Sequence, residues 1–152
     1  MRIALARTLG GDIDGAWWPH SGSVAGELPH LVEALHPSLG EIIDIDVNWT
    51  ATQCAPDLNS MTAYAQSIPG WHKEHQRLMV ISGRLAKAKL LVVPHMTSSA
   101  LGLMVLRRAA AMDISLAQQN TSVFETADYV VRTAQVESAL WAVWRRGRSS
   151  SA

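Results

Sequence analysis

Two tryptophans, Trp17 and Trp18, stand side by side in the stretch DIDGAWWPHSG (Asp12–Gly22). Neighbours in an extended chain point to opposite faces. An extended backbone here therefore has to serve its two bulkiest side chains in two different surroundings. Trp17 shares a face with Ile13 and Gly15, and Trp18 shares one with Asp14 and Ala16. An indole of this size removes ~150–250 Å² from water when buried. On this reading Trp17 anchors the core, while Trp18 covers the mouth of the turn and stays partly exposed. A contact surface is expected around Asp14, Trp17 and Trp18.

The flanking sequence supplies the elements that such a doublet has to join. RIALARTL (Arg2–Leu9) sets Ile3, Leu5 and Arg7 against Ala4 and Ala6, the alternation of a first strand. Val24, Leu28, Leu31, Val32 and Leu35 lie on one helical face, with Ser23 placed to cap it. Pro29 should kink or restart that helix, and Pro37 with Gly40 should end it. EIIDIDVNW predicts a strand with Ile43, Ile45, Val47 and Trp49 inward, beneath Trp17, and with Asp44, Asp46 and Asn48 in water. The stretch from Thr50 to Glu74 is ambiguous: it holds Pro56, Pro69 and Gly70, and a weak alternation of Met61, Ala63 and Ala65 that would suit an edge strand. RLMVIS and KAKLLVVP, joined by GRLA, predict a hairpin.

After Pro94 the texture turns helical. Leu101, Met104, Val105 and Ala109 share a face, and Ser122 with Glu125 reads as a capping box opening a last helix. That helix carries one stripe of Val123, Ala127, Val130, Ala134 and Trp141, and a second of Tyr129, Val136, Leu140 and Val143. Two apolar stripes need two partners, so either the helix is sandwiched within the chain or its outer stripe makes a homodimer. The order of elements predicts one α+β domain over residues 1–146, followed by a disordered basic tail, 147–152. It is expected to hold an antiparallel sheet of four or five strands, one helix after the first strand and two C-terminal helices.

Composition bounds the function. A chain of 152 residues with 48% hydrophobic content can bury a single core. No apolar run approaches the ~20 residues that span a bilayer. The N-terminus, interrupted by Arg7 and leading into Asp12 and Asp14, makes a poor signal peptide. Cys54 is the only cysteine, which rules out an internal disulfide, and a cytoplasmic setting is expected. The net charge is zero but segregated: Thr8 to His72 holds no Lys or Arg, whereas from Lys73 onward eleven basic residues face five acidic ones. Such asymmetry suits either a basic surface for an anionic partner or two halves that face each other, and the second reading is preferred.

Motifs for chemistry are sparse. The glycine-rich phosphate loops and the serine nucleophile elbow are absent. Cys54 has no histidine within several residues and reads as a small buried side chain. Asp44, Asp46 and Asn48 imitate a calcium loop, but Trp49 stands at the obligatory glycine and Ala55 at the closing carboxylate. HKEH (His72–His75) lacks zinc spacing, and a metal site would need His20, His30, His36 or His95 from afar. No catalytic set, metal or cofactor is expected. In PHMTSSA, Thr97, Ser98 and Ser99 beside His95 would cap a helix or bind a small anion on its free amides, capping being preferred. At the C-terminus Trp141 and Trp144 neighbour Arg145, Arg146 and Arg148, a nucleic-acid contact or simply cations at a helix end.

DGAWWP, followed by ELPHLVEAL and by LLVVP before a helix, resembles an actinobacterial family of small domains of unknown function. The resemblance covers Ile3 to Ala111, matches poorly over Ala51 to Trp71, and leaves out the helix from Ser122 and the tail. It implies a bacterial cytosolic setting and weight on Asp14, Gly15, Trp17, Trp18 and Pro19, and carries no activity, cofactor or catalytic residue with it. Three readings stay open. The first is a non-enzymatic binding or regulatory protein, homodimeric through its last helix, meeting an unknown protein at the Asp14–Pro19 turn. The second is a nucleic-acid- or ribosome-associated factor using the C-terminal arginines. The third is an enzyme or binder of a small anionic ligand at the PHMTSS loop. No membrane partner is expected.

Overall fold

The chain alternates short strands with helices long enough to cover them. In the computed structural model, residues 2–21, 23–49 and 76–150 are described. Along these run β1 (Arg2–Leu5), β2 (Gly15–Trp18), α1 (Val24–Leu39), β3 (Ile42–Val47), β4 (Arg77–Gly83), β5 (Lys87–Val92), α2 (Ser99–Ala109), the short α3 (Leu116–Gln119) and α4 (Ser122–Ser150). The five strands form one sheet in the order β1-β2-β5-β4-β3. The predicted edge strand at Met61–Ala65, Cys54 and the HKEH histidines lie outside the described residues.

The hairpin read from RLMVIS and KAKLLVVP is present as β4–β5, running from Arg77 opposite Val92 to Ser82 opposite Lys87. Three of the four strand pairs are antiparallel, as expected, but β2 and β5 are parallel. The difference arises because the doublet is a strand in its own right, and α1 follows two strands rather than one. The chain leaves β2, crosses by α1 to the far edge at β3, and the hairpin then fills the gap. The pairing signs make β3 parallel to β2, so β2-α1-β3 is a split crossover unit with β5 and β4 inserted.

Burial divides into two cores, one on each face of the sheet. Trp17, Met79, Ile81, Leu90 and Val92 pack with Leu31, Leu35 and Leu39 of α1. Ala16, Trp18, Leu78 and Leu91 pack with Leu101, Met104 and Val105 of α2 and with Val130, Val131 and Ala134 of α4. The architecture is therefore α+β in three layers. Ser23 caps α1 as expected, its side chain accepting from the Gly26 amide. The helix continues through Pro29 and Pro37 to Leu39, where the Gly40 amide closes the end on the His36 carbonyl. Each proline removes one amide from the ladder without ending it.

Two expected details are corrected. The inward residues of β3 are Ile42 and Ile45, with Trp49 just beyond the strand packing on the same core, while Ile43 is 62% exposed and Val47 36% exposed. A register shift between Ile42 and Asp44 breaks the strict alternation, and among the described residues this strand is bordered on one side only. At α4 the cap is Thr121, whose hydroxyl accepts from the Phe124 amide, rather than Ser122, which is already helical. The helix then continues to Ser150, through residues read as the start of a tail.

Candidate functional site

The DGAWWP segment is where a site was expected, and within β2 strand parity works as read, Trp17 entering one core and Trp18 the other; Ile13, expected on the Trp17 face, lies before the strand begins and joins the Trp18 core instead. The exposure of Trp18 is not as read. Trp17 is 0% exposed and Trp18 2%. Trp18 is sealed by residues far away in sequence. The Arg2 guanidinium lies 3.6 Å from its ring centroid and donates to the Pro19 carbonyl at 2.9 Å. Gly102 of α2 lies against the ring; a Cβ there would sit 2.5 Å from Cη2 and Cζ3. The indole N–H donates to the His95 carbonyl at 3.4 Å.

Asp14 is 1% exposed, and its carboxylate is fully engaged. One oxygen accepts from the Gly10 and Gly11 amides at 2.9 and 3.0 Å, the other from the Lys89 amide at 2.9 Å. Its own amide donates to the Lys89 carbonyl, and its carbonyl accepts from the Ala6 amide. Gly15 beside it has no room for a side chain, since a Cβ would strike the Ala4 carbonyl. Pro19 is buried too. The segment is thus a structural clamp holding the 6–13 loop, β2 and β5 together, and the contact surface expected at Asp14–Pro19 is enclosed. Asp14 and Trp18 are both buried at opposite ends of β2, and the hydrogen bond of Trp18 to His95 goes to its backbone carbonyl.

In the PHMTSS loop the parts also separate. His95, Ser98 and Ser99 are exposed, whereas the Thr97 hydroxyl is buried without a hydrogen-bond partner. Ser98 is the N-cap of α2 but makes no side-chain capping bond, so the preferred capping role is not realised. Arg145, Arg146 and Arg148 fall in the last turns of α4, and their side chains lie outside the described residues.

Two concave surfaces not anticipated from sequence are present. A groove of about 410 Å³ brings His20 and His30 together with Glu27 and Glu33. Among the described residues no three His, Cys, Asp or Glu form a set able to hold a metal. Glu27 is occupied, accepting from the His20 and Ser21 amides at 2.6 Å each and from the Ser21 hydroxyl at 2.7 Å. Slight burial pushes its pKa up, but the Ser21 hydroxyl, these amides and nearby His20 outweigh that and hold it below the usual carboxylate value. A second cleft, of about 720 Å³, opens where β1 runs out and α2 ends; Arg7, Thr8 and Arg107 are among its lining. No spacing signal could have linked residues so far apart in the chain; only the sheet order and the docking of α2 on β1 and β2 do so.

The inner stripe of α4 is placed as read, with Ala127, Val130 and Ala134 fully buried and Val123 and Trp141 packed beside them. The outer stripe is covered only at its start: Tyr129 is half-buried against the same core, whereas Val136 is 63%, Leu140 67% and Val143 58% exposed.

Fold and site together define an α+β sheet domain whose tryptophan motif builds the core instead of a surface. The chain belongs to a family of unknown function (DUF5994), which it matches over residues 2–109. No curated protein and no solved structure matches it. Among the described residues no helix is long and apolar enough to cross a membrane.

Proposed function

We propose that this chain is a homodimeric binding protein, two copies joining along the outer stripe of α4. The observation that carries the reading is the exposure of Val136, Leu140 and Val143 on a helix whose opposite face is fully buried. Val136, Leu140 and Val143 follow one another at steps of four and three residues, the spacing of a coiled-coil seam. At 29 residues, α4 is about 43 Å long, whereas the longest strand, at seven residues, spans about 23 Å. The inner face of α4 stays covered as far as Ser138 and Trp141, and the face opposite is the ridge offered to a second copy. That stripe lies beyond the residues that match the family. A binding role, rather than a catalytic one, is favoured because the carboxylate of the most distinctive motif, Asp14, is buried and accepts from three backbone amides, a structural use of the group.

Light scattering on the wild type and on Leu140→Glu tests the assembly. The expected masses are twice 16.5 kDa for the wild type and 16.5 kDa for the variant, with unchanged circular dichroism. A monomeric wild type at tens of micromolar, or a variant that stays dimeric, overturns it.

A further inference from the structure

We propose that the cleft between the end of β1 and the end of α2 binds a small organic phosphate, its phosphoryl group held by Arg7 and Arg107. The inference goes beyond the dimer and does not depend on it. Seven arginines have described side chains, and five are engaged. Arg2 donates to Pro19 and lies over Trp18; Arg77 lies over Trp49. Arg84 pairs with Glu41, and Arg108 and Arg132 both pair with Asp128. The remaining two, Arg7 and Arg107, make no side-chain hydrogen bond or ion pair among the described residues, and both line this one cleft. Adjacent arginines on α2 thus differ: Arg108 is tied down by its neighbour helix, and Arg107 is left to solvent and to whatever the cleft holds.

The cleft is built on a fixed frame. Arg7 and Thr8 sit on the loop that Asp14 pins at Ala6, Gly10 and Gly11. Opposite, α2 ends in a turn closed by Ala111, whose φ of +56° lies in the left-handed region. Bare carbonyls at a helix C-terminus would repel an anion. Here the last ones are used: Leu106 accepts from the Ala110 amide, Arg107 from Met112 and Arg108 from Ala111, at 3.1, 2.9 and 3.2 Å. The turn also brings Met112 and Asp113 to the cleft.

These groups select a ligand class. Guanidinium groups match phosphate oxygens in a two-pronged fashion, and two of them suit a dianion. The Thr8 hydroxyl adds a neutral donor, while Leu5 and Met112 give an apolar wall for an organic part. Asp113 at the same cleft disfavours a second anionic group and accepts from a ligand hydroxyl. The volume, about 720 Å³, is that of a small-molecule pocket.

The test is a titration of the full chain with phenyl phosphate followed by amide NMR, with inorganic phosphate and benzoate as comparison probes. Phenyl phosphate is expected to move the Ala6, Thr8, Met112 and Asp113 amides and to bind more tightly than either comparison. Arg7→Gln and Arg107→Gln, both at exposed positions, are each expected to weaken it about tenfold or more while the remaining spectrum stays native. Absence of shifts at 10 mM phenyl phosphate (roughly the weak end of useful affinity), tighter binding of benzoate, or unchanged affinity in either variant overturns the proposal. The same variants keep the mass of the wild type, so failure here is distinguishable from failure of the dimer.

Discussion

At the scale of single residues, the chain assigns unexpected roles to its most conspicuous side chains. Asp14 looks like a surface carboxylate in a glycine-rich turn, yet it is enclosed and accepts three backbone amides. Removing it leaves the half-buried Lys89 amide without its acceptor and releases the Gly10 and Gly11 amides of the exposed loop, so both the loop and β5 lose their tie to β2. Asp14→Ala is expected to lower unfolding free energy by about 3 kcal/mol, measured by urea denaturation. Asp12→Ala, an exposed carboxylate two residues away, is expected to change it by less than ~0.5 kcal/mol. Equal effects of the two substitutions would remove the clamp from the account. The opposite parity of Trp17 and Trp18 was legible because it follows from backbone geometry alone. The burial of Trp18 was not, because the groups that seal it, Arg2 and Gly102, reach it only through the tertiary fold.

At the scale of elements, local chemistry and tertiary pairing were unequally visible. The β4–β5 hairpin, the cap at Ser23 and the buried face of α2 could be read directly, since a short loop, a three-residue spacing and a helical period announce them in the sequence. The parallel pairing of β2 with β5 and the bulge in β3 depend on neighbours brought in from elsewhere, and no periodicity announces them. The start of α4 shows how finely a cap is decided: Thr121 and Ser122 both carry a hydroxyl, and only Thr121 stands outside the helix with its oxygen on an open amide. Thr121→Ala is expected to cost about 1 kcal/mol, and Ser122→Ala less than ~0.5 kcal/mol, by thermal or chemical unfolding. Near the start of α1, Glu27 ties the preceding loop to the helix and has a lowered pKa. A carboxylate whose folded pKa is below its unfolded one stabilises above the unfolded value, and the gain is lost as pH falls through the folded value. Glu27→Gln is therefore expected to be less stable than the wild type at neutral pH. The gap should close with acidification, as followed by denaturant midpoints from pH 7 down to about pH 3.

At the scale of the whole molecule, one sheet joins two cores, and the doublet in β2 contributes a tryptophan to each. The acidic early half and the basic later half also meet across this sheet: β3 lies beside β4, and Glu41 pairs with Arg84 at 2.6 Å. The preferred reading of the charge asymmetry rested on such an arrangement. The two surfaces proposed for partners lie away from the motif, on the outer stripe of α4 and in the cleft that the Asp14 clamp helps to shape. The central claim is that Trp17 and Trp18 are both sealed, on opposite faces of one strand. Deuterium exchange of the indole N–H groups tests it most directly, with signals assigned through Trp17→Phe, Trp18→Phe and Trp144→Phe. Both are expected to outlast the indole of Trp144, which is 57% exposed, by at least about a hundredfold. A Trp18 signal that disappears as fast as that of Trp144 would return this residue to the rim and contradict the account.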